Sequence, residues 1–416
     1  MKIKTVFLYS LFVFVSVFSI GRLMDSSKMM IPEFTVPYFS GASLMHHAEG
    51  WQFNLSEVDT LHAFLGISDK KISRDQINSY RFSSEKISAR PYSINQPGYL
   101  YIVNFAGKVF SWTGDIGAIK LLQLFIHALI SLLILLQLKQ IRSRLLFFFL
   151  YVINPLIIYY AIYPFYYFWE MIPSFFLVYF YLSKKQFSFL ALAGVAVFLA
   201  FIFQIRSTVL ILSLLTLLYA SINLKLFQRI SIPIIYLLSI WFMSPGGTHK
   251  HPGHIMYTSL GAYPNAYVES FSDTIPWNAY RTHKAINYSY TSTPDMYDKE
   301  VFFGESEWCL SEYKKIAISE PLMILRNAAL NYLQSFSIGH IRSSLLLSYL
   351  SSIIGLIFLL LLYFKKKFNI IIALTAASCT YFIYLAPLPI YLYGSYILLI
   401  IGFIELLNAF FPMKTR

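Results

Sequence analysis

Two ionisable residues stand inside otherwise apolar stretches: Glu170, which ends Tyr166-Tyr167-Phe168-Trp169-Glu170, and Arg206, within Gln204-Ile205-Arg206-Ser207. An ionised side chain in hydrocarbon costs about 2.5–3.5 kcal/mol on insertion scales, so it faces a partner, a cavity or, near a span end, the headgroups. A second concentration of cationic chemistry is His249-Lys250-His251 with His254, shortly before Tyr257-Thr258-Ser259-Leu260-Gly261. Clustered His and Lys can hold a phosphate through charge-assisted hydrogen bonds that strengthen as the phosphate leaves. A divalent cation on the same histidines is a further option, although their spacing fits no specific metal motif. For proton abstraction the first 60 residues offer Asp25, Glu33, Glu49, Glu57 and Asp59; a carboxylate within hydrogen-bond reach of a hydroxyl can take its proton. The later run Asp295, Asp298, Glu300, Glu305, Glu307 and Glu312 reads as a solvated helix face. No GxSxG elbow, P-loop or HExxH is present, which leaves serine hydrolysis, nucleotide hydrolysis and zinc proteolysis without support.

The elements that must position these groups are membrane helices. With 57% hydrophobic and 13% charged residues, the chain is no ordinary soluble domain. Apolar stretches long enough to cross about 30 Å of hydrocarbon are predicted near 5–23, 117–138, 145–163, 166–182, 187–205, 208–224, 230–243, 344–364, 369–385 and 390–411. The short connections between them carry Lys139, Arg142, Arg144, Lys184, Lys185, Lys225, Arg229, Lys365, Lys366 and Lys367, and the ends carry Lys2, Lys4, Lys414 and Arg416, with no carboxylate beside any of them. Short Lys/Arg-rich loops stay in the cytoplasm. Ten crossings satisfy every one of these loops and put both termini inside. The two long polar segments, 21–115 and 244–342, hold 18 of the 20 carboxylates and eight of the nine histidines, and this topology puts both outside.

The expected class is therefore an all-α polytopic membrane protein with two large extracytoplasmic segments. Its modules are 1–243 (seven spans and the first outer segment, with an interfacial helix over 97–112), 244–342, and a three-span module over 343–416. The net charge of +13 is a matter of topology and anionic-lipid contact, and no nucleic-acid partner is expected. Val6 to Ile20 is read as an uncleaved first span, since no small-x-small site follows it. Cys309 and Cys379 are not expected to pair. The turn Tyr163-Pro164-Phe165-Tyr166-Tyr167-Phe168-Trp169 is expected at the outer headgroup level, which aromatic side chains favour. Glu405 and His127 are the remaining ionisable residues set within spans, and Lys120 is placed near a span end.

Four features together resemble the GT-C glycosyltransferases, membrane enzymes that use polyprenyl-phosphate sugars: a large outer segment directly after span one; Gln96-Pro97-Gly98-Tyr99-Leu100-Tyr101 leading into an interfacial helix; Asn154-Pro155 followed by an outer turn ending in Trp169-Glu170; and Gln204-Ile205-Arg206-Ser207 between spans five and six. The stretch from His254 to Asn265 is similar to a loop of bacterial members that decorate surface polysaccharides. The resemblance implies an enzyme of a bacterial-type inner membrane, transferring a sugar from a lipid-phosphate donor to a glycan or lipid-linked acceptor on the outer face. It implies a donor phosphate among Arg206, His251, His254 and Lys250. The base is a carboxylate of the first outer segment, Glu49 or Asp59 ahead of Glu33 and Glu57, with Glu170 as a further candidate. The chain lacks the Asp-Glu pair common soon after span one in that family, so the base is left open among these residues. A polysaccharide polymerase or ligase, or a glycolipid transporter or flippase, is the alternative. Membrane lipids are partners in every case.

Overall fold

A computed structural model of the chain describes residues 3–25, 28–30, 71–73, 97–244, 252–284 and 299–412. The apolar runs fold as helices. In order they are α1 (Ile3–Met24), α2 (Pro97–Val109), α3 (Gly114–Gln137), α4 (Ile141–Phe147, continued by a π-turn over Phe148–Val152), α5 (Pro155–Ile162), α6 (Met171–Ser183), α7 (Phe189–Ile205), α8 (Leu210–Ala220) and α9 (Leu226–Met243). After residue 246 follow α10 (Pro252–Leu260), α11 (Thr274–Lys284), α12 (Lys299–Ser319), α13 (Pro321–Gln334), α14 (Leu345–Phe364), α15 (Phe368–Phe382) and α16 (Tyr396–Phe410). The strands among the described residues are a three-residue antiparallel pair, Lys28–Met30 with Lys71–Ser73. The helices form two units, Met1–Gly246 and Gly247–Arg416.

Among the described residues five helices are long and apolar enough to cross a membrane: Val6–Met24, Gly117–Gln137, Leu226–Met243, Leu345–Phe364 and Tyr393–Phe410. The pair Ile141–Val152 and Pro155–Ile162, bent by 48°, makes a sixth if it is one span. The sequence predicts ten crossings; length alone supports five or six, because breaks interrupt the other runs. Phe189–Ile205, Ser207–Ala220 and Phe368–Phe382 are apolar but shorter, and α6 has 13 residues. The outer faces of these helices are apolar, with Leu190 80%, Phe242 76% and Leu346 69% exposed. Contiguous apolar surface on this scale is unsuited to water and suited to lipid, as expected of a membrane protein.

Local sequence explains where the helices stop and start. Asn154 caps α5: its Oδ1 accepts from the Leu156 N–H at 2.9 Å, and Pro155 opens the helix with the φ already required. The Asn154 Nδ2 donates back to the Leu150 carbonyl at 3.0 Å, so one side chain satisfies both sides of the break. Ser188 and Ser344 cap α7 and α14 in the same manner. Lys184 and Lys366, which follow α6 and α14, have φ of 50° and 55°, a left-handed conformation normally left to glycine.

Candidate functional site

The first unit gathers three of the sequence features at one place. α7 ends at Ile205, and Arg206 is extended (φ −153°, ψ 113°) before a 3-10 turn over Ser207–Val209. Another 3-10 turn, Tyr166–Glu170, leads directly into α6, so Glu170 sits at a helix N-terminus, where the backbone dipole favours an anion. The Arg206 Nε donates to Glu170 Oε1 at 2.9 Å, and the Thr208 hydroxyl donates to the same oxygen at 3.0 Å. The guanidinium lies 4.9 Å from the ring centre of Tyr166 and 4.6 Å from that of Tyr167, within cation–π range. It also reaches the Tyr167 hydroxyl at 3.5 Å. The pair is buried, with side-chain exposures of 13% for Arg206 and 5% for Glu170.

The Gln96-Pro97-Gly98-Tyr99 feature meets this pair through α2. A Cβ on Gly98 would lie 2.8 Å from backbone atoms of Gln204 and Ile205, so a side chain there would push α2 off the end of α7. One residue on, the fully buried Tyr99 sets its ring edge-on to Tyr166 at 6.1 Å. The aromatic turn is therefore interior, with Phe165 to Trp169 all at 8% exposure or less. The rings pack on one another and on Arg206. Nearby in the chain order, Lys120 of α3 is ion-paired with Asp25 at the end of α1.

Desolvating an isolated ion pair costs more than a surface pair returns, while removing one partner strands a buried charge at about 3–5 kcal/mol. Such a pair is a poor stability device, and its arginine is already held in one orientation. That is the preparation an anion site requires.

In the second unit His254 of α10 lies between two carboxylates. Its Nδ1 is 2.9 Å from Glu305 Oε1 and its Nε2 is 3.7 Å from Asp273 Oδ1. Glu305 is fully buried and also accepts from the Cys309 thiol at 3.0 Å. Burial works against a charge on the ring, but the hydrogen bonds and charges of Asp273 and Glu305 prevail and push His254 up to about 9. His254 is thus an imidazolium at neutral pH with both ring nitrogens turned to carboxylates. That geometry is unsuited to the phosphate contact expected of it. Glu305 likewise departs from the expected solvated acidic face, whereas Glu307 is exposed and Glu312 pairs with Lys315 at 2.7 Å.

The rest of the stretch from His254 to Asn265 is scaffold. A Cβ on Gly253 would lie 1.8 Å from the Ser306 carbonyl oxygen, which is how α10 comes close enough to α12 for His254 to reach Glu305. The Ser259 hydroxyl accepts from the Ala386 N–H at 2.8 Å. The Tyr263 hydroxyl meets Asn331 and Gln334 at 2.8 and 3.1 Å. Asn265 ties its own turn together through Leu260, Tyr263, Tyr267 and Val268.

Glu170 and Arg206 are thus brought together, and His254 is given carboxylate partners. Glu33, Glu49, Glu57, Asp59, Lys250 and His251 lie outside the described residues. Thr208 and Asp273 are further members of these clusters. Thr208, two residues past Arg206 and inside the 3-10 turn that follows it, had a readable spacing; Asp273, 19 residues from His254, had none. Glu405 is paired with Lys367 at 2.6 Å, and Cys309 and Cys379 are both free thiols. Among the described residues no group of three His, Cys, Asp or Glu side chains is arranged to hold a metal ion. No family model matches the chain, and no match was found among curated proteins or solved structures.

Proposed function

We propose that this chain is an integral-membrane glycosyltransferase of the GT-C type, taking a sugar from a polyprenyl-phosphate donor to a glycan or lipid-linked acceptor on the outer face of the membrane. The observation that carries the reading is the meeting of Gly98-Tyr99, Glu170 and Arg206 at one end of a bundle of apolar helices. A lipid-phosphate donor needs this combination: an apolar flank for its tail and a fixed cation for its phosphate. In the proposed topology there are ten crossings with both termini in the cytoplasm. The short helices α6 and α8 are lengthened by the 3-10 turns that precede them, and Lys184, Lys185 and Lys365 to Lys367 fall on the cytoplasmic side.

In the proposed reaction Arg206 binds the donor phosphate, while Glu170, Thr208 and the two tyrosines hold the guanidinium plane. A carboxylate of the first outer segment, Glu49 or Asp59 ahead of Glu33 and Glu57, removes the acceptor hydroxyl proton. The oxygen then bonds to the anomeric carbon, and the bond from that carbon to phosphate breaks with its electron pair on the phosphate. Removing one fixed donor to a developing anion costs about 10²–10³ in rate. Arg206→Ala, assayed as purified full chain in lipid with polyprenyl-phosphate-linked hexoses, should lose activity on that scale. Transfer at the wild-type rate would remove Arg206 from the mechanism. Amide substitutions at Glu33, Glu49, Glu57, Asp59 and Glu170 should find one position that abolishes turnover with donor binding retained. Transport is the weaker alternative, since Glu405, an ionisable residue set within a span, is paired with Lys367.

A further inference from the structure

α3 carries a polar stripe where a membrane helix has most to lose by it. Lys120, Gln123, His127 and Ser131 follow one another at intervals of three, four and four residues, which places all four on one face of a 3.6-residue helix. The span Gly117–Gln137 contains them all. Lys120 is 4% exposed, and Gln123, His127 and Ser131 are fully buried.

Each of the three inner residues has a polar atom with no hydrogen-bond partner: Gln123 Oε1, His127 Nδ1 and Ser131 Oγ. The other ends of the first two are fixed. The Gln123 Nε2 donates to the Tyr163 carbonyl at 3.2 Å, and the His127 Nε2 lies 3.1 Å from the Val152 carbonyl. A carbonyl can only accept, so the His127 proton is on Nε2, and Nδ1 presents a lone pair. Gln123 Oε1 likewise presents lone pairs. The Val152 carbonyl ends the π-turn at the break between α4 and α5, and the Tyr163 carbonyl caps the far end of α5. Broken helices are tolerated at membrane depth where they are buried in protein or line a hydrated space. α6, which packs against α3, carries a fully buried Ser174 hydroxyl that also lacks a partner.

Leaving buried polar atoms unsatisfied is costly, and the ligand that relieves this set must donate hydrogen bonds. The spacing fits water. Steps of three and four residues rise about 4.5 and 6 Å along the axis, and one or two waters linked by hydrogen bonds of about 2.8 Å span each gap. The outer end is the Lys120–Asp25 pair, whose Asp25 side chain is 24% exposed. From there to Ser131 the stripe runs about 16 Å, roughly half of a 30 Å hydrocarbon core.

We propose that this face of α3 binds a file of water molecules reaching from the Lys120–Asp25 pair to Ser131, with the His127 Nδ1 as its central acceptor. The site takes water as its ligand and is independent of whether the chain transfers sugars. It gives an imidazole in the middle of an apolar bundle contact with solvent protons, which dry packing would forbid.

The test is solid-state NMR of the full-length chain in lipid bilayers, with magnetisation passed from water protons to histidine rings. The His127 signals are assigned by their loss in His127→Gln. Transfer to His127 should build up on the same timescale as transfer to the exposed His283, and the ring should show a protonated Nε2 and a bare Nδ1. In Gln123→Leu/Ser131→Ala, whose acceptors are removed, transfer to His127 should slow several-fold with the unfolding midpoint kept. Absence of transfer in the wild-type protein overturns the proposal whether or not the variant folds. Unchanged transfer in a folded variant overturns it equally, since the stripe would then not be what holds the water.

Discussion

Raising the pH from 6.5 to 9.5 should unlock α10 from α12. His254 is protonated in the fold because Glu305 and Asp273 outweigh the burial that opposes its charge, and its pKa moves from 6.5 to about 9. A group whose folded value lies above its unfolded value gives its full stabilisation below the unfolded pKa. It loses that stabilisation as pH rises through the folded one. The window is therefore 6.5 to about 9, with no His254 contribution left above it. At about 1.4 kcal/mol per pH unit, the stabilisation lost is about 3 kcal/mol. For a unit of fewer than 200 residues each kcal/mol moves a midpoint by about 2–4 °C, so a fall of about 6–12 °C is expected.

The assay is the apparent thermal midpoint of the purified chain in lipid at a fixed scan rate, wild type against His254→Gln, at half-unit intervals of pH. Wild type should fall across the window, and His254→Gln should be flat there and lower than wild type at pH 6.5. The two carboxylates should not count equally. Asp273 is 66% exposed and 3.7 Å away, so water screens it, whereas Glu305 is fully buried at 2.9 Å. Glu305→Gln should therefore flatten the curve more than Asp273→Asn. Parallel curves for wild type and His254→Gln would show that some other group, and not His254, titrates in this window.

An opposite limb is expected in acid. Burial, helped by the Arg342 charge, lowers His340 to about 4; its stabilisation is complete above 6.5 and is lost as pH falls toward 4, and His340→Phe should weaken that limb in the same melting assay. Cys309 should resist alkylation in the folded chain, because burial and the neighbouring Glu305 hold its thiol well above the usual range; intact-mass measurement after maleimide treatment would show Cys379 modified first, and rapid Cys309 labelling at pH 7 would count against the described packing. Gly98→Ala should cost about 1–3 kcal/mol, since its Cβ meets the backbone at the end of α7, and it should depress the proposed sugar transfer beyond that loss of stability. Lys184→Gly should raise the melting midpoint by relieving a left-handed lysine, by about 0.5–1 kcal/mol.

Much of this architecture could be read from residue type alone. Apolar runs marked the helices, and Lys184-Lys185 and Lys365 to Lys367 marked their turns, because hydrocarbon admits so few alternatives to a helix. The lengths were less legible. A continuous apolar run does not say where a 3-10 turn or a π-turn will interrupt it, and Glu170 and Arg206 interrupt two runs by pairing with each other. The packing of the aromatic turn was illegible for a related reason. Tyr and Trp favour headgroups and also favour a guanidinium, and residue type does not say which rings a cation will reach.

His254 shows the harder limit. Its type and its basic neighbours pointed to an anion site, but the ring is claimed by Glu305, which reads as one member of an exposed acidic run, and by Asp273, which belongs to no pattern at all. Charge in sequence and charge in space differ most where a helix buries one acid and exposes the next, as α12 does with Glu305 and Glu307. The Glu170–Arg206 pair escaped that ambiguity because a membrane span offers an isolated charge so few partners. In a chain of this kind, an ionisable residue within an apolar run is therefore a better guide to the site than a cluster of charges in a long polar segment.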